Sequence, residues 1–500
     1  MTTTNIAYAN LEGRFRRILT LRDASEILHW DYSTIMPPGG ASGRANQLAE
    51  LEAVRHGLLS APETGDLLAT AEQAGGLESW QVANLAAMRH MWAHATALGE
   101  DQVTALSRAG SACETVWRKA RSDSDFAAVL ESLEKLVELV GEAARAKSDK
   151  LGLSPYDALL DEYEPGGRSA DIDIQFTVLE DFLPEFLGEV LQRQADQPAA
   201  IKPEGPFPEA QQKALGMQLM QALGFDFDHG RLDTSLHPFC GGTCEDVRIT
   251  TRYDENDYSS ALMGVLHETG HALYERGLPA DWRYQPVGDA LGMATHESQS
   301  LLIEMQVCRS RAYLEFAGPL MAGAFGGSGP AWQPDNLHKL LGRVERSFIR
   351  VEADEVTYPL HVILRYRLEK AVIGGDLKVR DLPAAWNDGM ESLIGVRPPS
   401  DREGCLQDIH WYDGAWGYFP TYTLGAMTAA QLFAAARETH PEIDLGIPKG
   451  DFRPLMNWLG DNVHSLGSSL SLPELLTRAS GRPLDATAFI AHLKSRYLPD

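Results

Sequence analysis

Apolar residues recur at spacings of three and four along most of this chain, and that periodicity commits it to helix. It predicts helices over 8–29, 43–58, 65–75, 79–97, 101–120, 125–150, 172–193, 208–223, 257–277, 290–316, 335–373, 381–395 and 422–438, with shorter pieces to the C-terminus. Pro37-Pro38-Gly39-Gly40 separates the first two. Strand signals are scarce. The best is 246–253, where β-branched residues alternate with charged ones; it precedes the 257–277 helix and could form one edge of a cleft. Neither 203–208 nor 323–330 is long or biased enough to be a linker, and there is no internal repeat. Residues 1–500 therefore read as a single, mainly α unit with minor β, a large helical body with a cleft; two lobes flanking that cleft stay open as an alternative.

Inside the 257–277 helix lies His267-Glu268-Thr269-Gly270-His271. Two histidines four apart project from one helix face and can share a metal ion, while the glutamate between them can work on a water that the metal activates. By residue frequency such a pentad arises by chance in roughly 3% of chains this long, so context must decide. The run Ala261 to Leu266 before it and Ala272-Leu273-Tyr274 after it are apolar, as a buried ligand-bearing helix requires. Gly270 points to close packing there. The combination indicates zinc-dependent peptide hydrolysis on a zincin-like helix.

A catalytic zinc site needs a third protein ligand. The H-E-x-x-H-x-x-G-x-x-H solution is excluded, because Tyr274 and Gly277 stand at its glycine and third-histidine positions. The other solution is a glutamate on a following helix. Glu297 in His296-Glu297-Ser298-Gln299-Ser300 is the choice; Glu275, His296 and Glu304 compete. Glu275 lies two turns beyond His267 and would overshoot the metal. Glu304 lies two turns after Glu297, as a group behind the site or one facing solvent.

Net charge is −26, from 44 basic and 70 acidic residues, which disfavours nucleic acid and anionic membranes as partners. Five cysteines (Cys113, Cys240, Cys244, Cys308, Cys405) fit a reducing compartment better than a disulfide framework. Cys240 and Cys244 lack a second pair and read as loop residues rather than a zinc site. Met1 to Phe15 shows no basic-then-apolar leader pattern, and no apolar run approaches a membrane span. A cytoplasmic soluble protein is expected.

Further motifs surround the pentad: His237-Pro238-Phe239, Asp246-Val247-Arg248-Ile249-Thr250, His296-Glu297-Ser298-Gln299, Ile349-Arg350-Val351-Glu352-Ala353-Asp354 and Gly404 to Trp411. The runs Gly417 to Tyr422, Trp30 to Pro37 and Pro155 to Gly166 join them. With these motifs the chain resembles the thermostable carboxypeptidase Taq family of metallocarboxypeptidases, peptidase family M32. The resemblance implies a mostly helical, saddle-like fold with a long central active-site groove, a homodimer, a Zn²⁺ or sometimes Co²⁺ ion, and broad-specificity removal of single residues from free peptide C-termini. It supports Glu297 as third ligand. It places His410, Tyr418 and Tyr422 beside the cleft as candidate oxyanion donors, with His410 and Tyr422 favoured. It makes Arg350 the leading candidate for the substrate carboxylate, which an arginine fork pairs well. Arg248 is the second candidate, on a motif linked to closing one end of the groove, and His237 shapes the cleft wall. One departure stands out: Leu301-Leu302-Ile303 replaces the family's usual Arg, Leu and Trp. An endopeptidase or dipeptidase on the same scaffold, and a non-catalytic metal-stabilised helical binding protein, are the competing functions.

Overall fold

The computed structural model describes residues 5–235 and 238–499. His237 lies outside the described residues. Helix makes up 71% of the structure, with a small sheet as the minor element. The chain divides into two compact units. The first gathers the described residues of Met1–Ala95, Ala200–Gly342 and Thr428–Leu484; the second those of Thr96–Ala199, Arg343–Met427 and Asp485–Asp500. Among the described residues, no helix is long and apolar enough to cross a membrane.

Most helices run where the periodicity puts them, with ends set by local chemistry. The first, Ile6–Thr34, stops ahead of the Pro37–Gly40 break, and the second, Ala41–Ser60, starts directly after it. Asp125 caps Phe126–Leu151 by accepting from Ala128 N, and Gly152 ends that helix in the left-handed conformation that costs a glycine nothing. The short helix Pro155–Tyr163, capped by Ser154, lies in a stretch where no helix is expected.

Two predicted helices do not run through. The 290–316 segment is Gly292–Leu301, then a wide π turn over Leu302–Cys308, then a new helix Arg311–Ala324 capped by Ser310. The 335–373 segment is Pro334–Leu341 and Tyr358–Gly374, joined by a loop with one 3₁₀ turn, Arg350–Glu352. Arg350 is therefore a loop residue. Asp354 pins that loop, accepting from Glu345 N, Val356 N, Thr357 N and the Thr357 hydroxyl.

Among the described residues the sheet has three strands: β1 (Gly230–Thr234), β2 (Phe239–Thr243) and β3 (Asp246–Thr251), in the order β1-β3-β2. β3, the strand legible in the sequence, is central: parallel to β1 and antiparallel to β2. Leu232, Val247 and Ile249 pack with Met220, Phe225, Val265 and Ala272. Val265 and Ala272 are seven apart on Tyr258–Gly277, so one stripe of the pentad helix rests on the sheet. Asp257 caps that helix through Ser259 N.

Candidate metal centre

The pentad helix is fixed on a second side by the helix that follows it. A methyl group at Gly270 would meet Gln299 O at 2.4 Å and Ser300 Cα at 2.6 Å. Only hydrogen at position 270 lets Gly292–Leu301 come this close. That approach carries Glu297 to the two histidines. Its Oε2 lies 3.3 Å from His271 Nε2 and 3.6 Å from His267 Nε2. One donor atom from each of the three residues falls within 4.8 Å of the other two. Ser300 Oγ donates to Glu297 Oε2 at 3.1 Å and holds the carboxylate.

Each histidine has its other ring nitrogen engaged. His271 Nδ1 is 3.1 Å from the carbonyl oxygen of His296, and His267 Nδ1 is 3.0 Å from Glu304 Oε2. Both Nε2 atoms are thereby turned inward, as ligation by one ion requires. Of the residues that compete with Glu297, His296 contributes its backbone to His271. Its ring binds Glu275 at 2.9 Å, and Glu275 also accepts from Cys244. Glu304 is buried, behind the site and not on the surface.

Electrostatics favour a cation here. Burial works against a charge on His267, yet Glu297, Glu304 and Glu268 outweigh it and push its pKa up to about 10. His271 goes the other way, to about 4, through burial and the neighbouring histidines. Burial lifts the carboxyl of Glu268, beside His267, to about 7. Three carboxylates around two imidazoles form a donor set that fits a divalent cation and leaves Glu268 able to hold a proton near neutral pH.

Comparison with known proteins agrees with this chemistry. The model of the carboxypeptidase Taq (M32) metallopeptidases matches residues 10–497. The chain belongs to this family. It is 35% identical to thermostable carboxypeptidase 1 of Thermus thermophilus, with 99% of each chain covered. It is 34% identical to thermostable carboxypeptidase 1 of Pyrococcus furiosus, over 97% of each. The solved structure of metallocarboxypeptidase 1 of Trypanosoma cruzi superposes with a TM-score of 0.97 at 40% identity, covering 99% of this chain and all of that one. This M32 protein is a metal-dependent carboxypeptidase, a peptide hydrolase that uses a divalent metal.

The remaining candidates fall in two places. Arg248, in the first unit, is paired with Asp246 two residues before it (3.0 and 2.5 Å) and stacks on Trp30, with Arg231 over the same ring. In the second unit, His410, Tyr418, Tyr422 and Arg350 meet in one aromatic cluster. His410 Nε2 lies 3.1 Å from the Tyr422 hydroxyl, and Tyr418 packs on both rings. Burial lowers His410 to about 4, so it is neutral at pH 7. Arg350 stands over Tyr422, and its Nε and Nη2 both donate to Asp408 Oδ1. The other oxygen of Asp408 takes Arg365. Asp408 thus occupies the Nε–Nη2 edge of the fork expected to grip a carboxylate, and Nη1 is the nitrogen it leaves.

Sequence reasoning missed Asp408, Arg365 and Glu369. Glu369 is buried and accepts from Tyr156 and Trp411, which steadies the segment bearing His410. Asp408 lies inside the Gly404 to Trp411 motif, so the motif held the signal, but nothing local pairs it with an arginine 58 residues earlier.

Proposed function

We propose that this enzyme releases single C-terminal residues from peptides with broad specificity, using Zn²⁺, with Co²⁺ as a working substitute. His267, His271 and Glu297 hold the ion. The observation that carries the proposal is the convergence of their three donor atoms within 4.8 Å, with Glu268 buried next to His267. When bound, the ion supplies Lewis acidity to the scissile carbonyl and to the attacking water.

Glu268 takes the proton of that water and hands it to the leaving amine; a carboxyl with a pKa near 7 serves in both directions. Tyr422 donates a hydrogen bond to the developing oxyanion, with neutral His410 orienting its hydroxyl and Tyr418 packed against both. Arg350 receives the substrate carboxylate through the side that Asp408 leaves, and Asp408 keeps the guanidinium in one orientation. Arg248 is the second candidate for the substrate carboxylate, on a motif linked in the family to closing one end of the groove. The enzyme works as a cytoplasmic homodimer.

The test is mass spectrometry of an unblocked oligopeptide incubated with the purified enzyme. Parallel samples carry a chelator, the Glu268→Gln variant or an amidated peptide C-terminus. A ladder of single-residue losses that all three abolish is expected. Internal cleavage that survives amidation would refute exopeptidase action. A size measurement in solution decides the dimer.

A further inference from the structure

We propose that Glu304, locked by Arg309, is a positioning residue that fixes the ring of His267 and strengthens the grip of the site on its divalent cation. The inference rests on the assignment of His267, His271 and Glu297 as ligands.

Helix geometry comes first. Glu297 and Glu304 are seven residues apart, close to two full α-turns, so both carboxylates face the pentad helix. Glu297 reaches the Nε2 side of His267 and Glu304 the Nδ1 side. A carboxylate on Nδ1 holds the proton there, leaves the Nε2 lone pair free and makes it a better donor. The two histidines differ in this respect. His271 has only the neutral carbonyl of His296 behind it, so the charged support goes to His267 alone.

The π turn explains how Glu304 is held. In an α-helix, residues five apart point about 140° away from each other. Arg309 would then face away from Glu304. In the wide turn Leu302–Cys308 the amide of Arg309 bonds the carbonyl of Glu304, an i to i+5 bond that stacks the two residues. Arg309 Nε and Nη2 then donate to Glu304 Oε1 at 3.2 and 2.7 Å, and its Nη1 donates to Leu341 O at 2.8 Å. A chain of hydrogen bonds thus runs from Leu341 O through Arg309 and Glu304 to the imidazole of His267. An ordinary α-helix would place Glu304 there and leave it without its cation.

The experiment measures zinc affinity, independent of turnover. Metal-free protein is titrated with Zn²⁺ against a chromophoric chelator for the wild type, Glu304→Gln, Glu304→Ala, Arg309→Lys and Glu297→Gln. Circular dichroism checks folding of each. Both Glu304 variants are expected to bind zinc at least tenfold more weakly, within the 10- to 100-fold range of about that size seen when such supporting groups are lost. Alanine should be worse than glutamine, which keeps an acceptor, and Arg309→Lys should lie between wild type and Glu304→Gln. Loss of less than tenfold in the folded Glu304→Gln protein, with Glu297→Gln impaired, would overturn the positioning role. Undiminished affinity in Glu297→Gln would instead overturn the ligand assignment.

Discussion

Replacing Gly270 by alanine separates helix propensity from site geometry. A second glycine on the same helix, Gly264, provides the control, since a methyl group there meets nothing within 4 Å. In a helix interior alanine is favoured over glycine by about 0.5–1 kcal/mol, so Gly264→Ala should stabilise the protein by that amount. At Gly270 the same gain is opposed by contacts of 2.4 and 2.6 Å to backbone atoms of Gln299 and Ser300. Carbon needs about 3.5 Å or more, so the two helices must part by roughly 1 Å; no side-chain rotation relieves it. Overpacking of this kind costs about 1–3 kcal/mol, leaving a net loss of up to about 2.5 kcal/mol. The shift separates the helix of His267 and His271 from that of Glu297. A misplacement of about 1 Å can cost about 100-fold in rate. In a chain this long 1 kcal/mol moves Tm by only about 1 °C, so kinetics is the sharper assay. kcat/KM on an unblocked dipeptide substrate should fall about 100-fold in Gly270→Ala and stay unchanged in Gly264→Ala. Equal activity and a raised Tm in both variants would refute the argument that close approach at Gly270 builds the site.

Glu268→Gln should lose about 100- to 10,000-fold in kcat with zinc content unchanged by elemental analysis, because the proposed mechanism makes Glu268 the general base and not a ligand. Asp408→Asn leaves Arg350 and Arg365 buried without a counter-charge and should cost about 3–5 kcal/mol in denaturant unfolding. Burial opposes ionisation of Asp408, but the two arginines outweigh it and hold its carboxyl well below the usual range. Its contribution is therefore complete above the unfolded pKa, so the loss should be constant from pH 5 to 8. His464 is buried against Gly277 and accepts or donates one bond to Gln299; burial lowers its pKa to about 3. A depressed histidine stabilises the neutral form, so its contribution is present above about pH 6.5 and is lost as pH falls toward 3. Between pH 6.5 and 4.5 the wild type should lose about 2–3 kcal/mol more than His464→Gln, read from urea midpoints at each pH.

Local chemistry was legible in the sequence and distant pairing was not. The pentad helix announced itself through an apolar run and candidate ligand residues four apart. β1 and β2 did not: β1 has one apolar residue, Leu232, among charged ones, and β2 is Phe-Cys-Gly-Gly-Thr, poor in strand formers. Both are strands because β3 and the pentad helix give them a partner and a face to cover. The apolar spacing of 343–357 predicts helix, although Pro359 marks the start of a new one. The override is Asp354, which satisfies three backbone amides of the loop and so replaces the bonds a helix would have made. Glu304 shows how far spacing can carry an argument. Its seven-residue offset from Glu297 puts it on the right face, and that much is written in the chain. Whether it meets solvent or His267 depends on a helix 37 residues upstream, and whether it is held depends on a π turn that no periodicity reveals. The carboxylate behind a proposed metal ligand is thus specified by packing, and only the three-dimensional structure could pair it with Arg309.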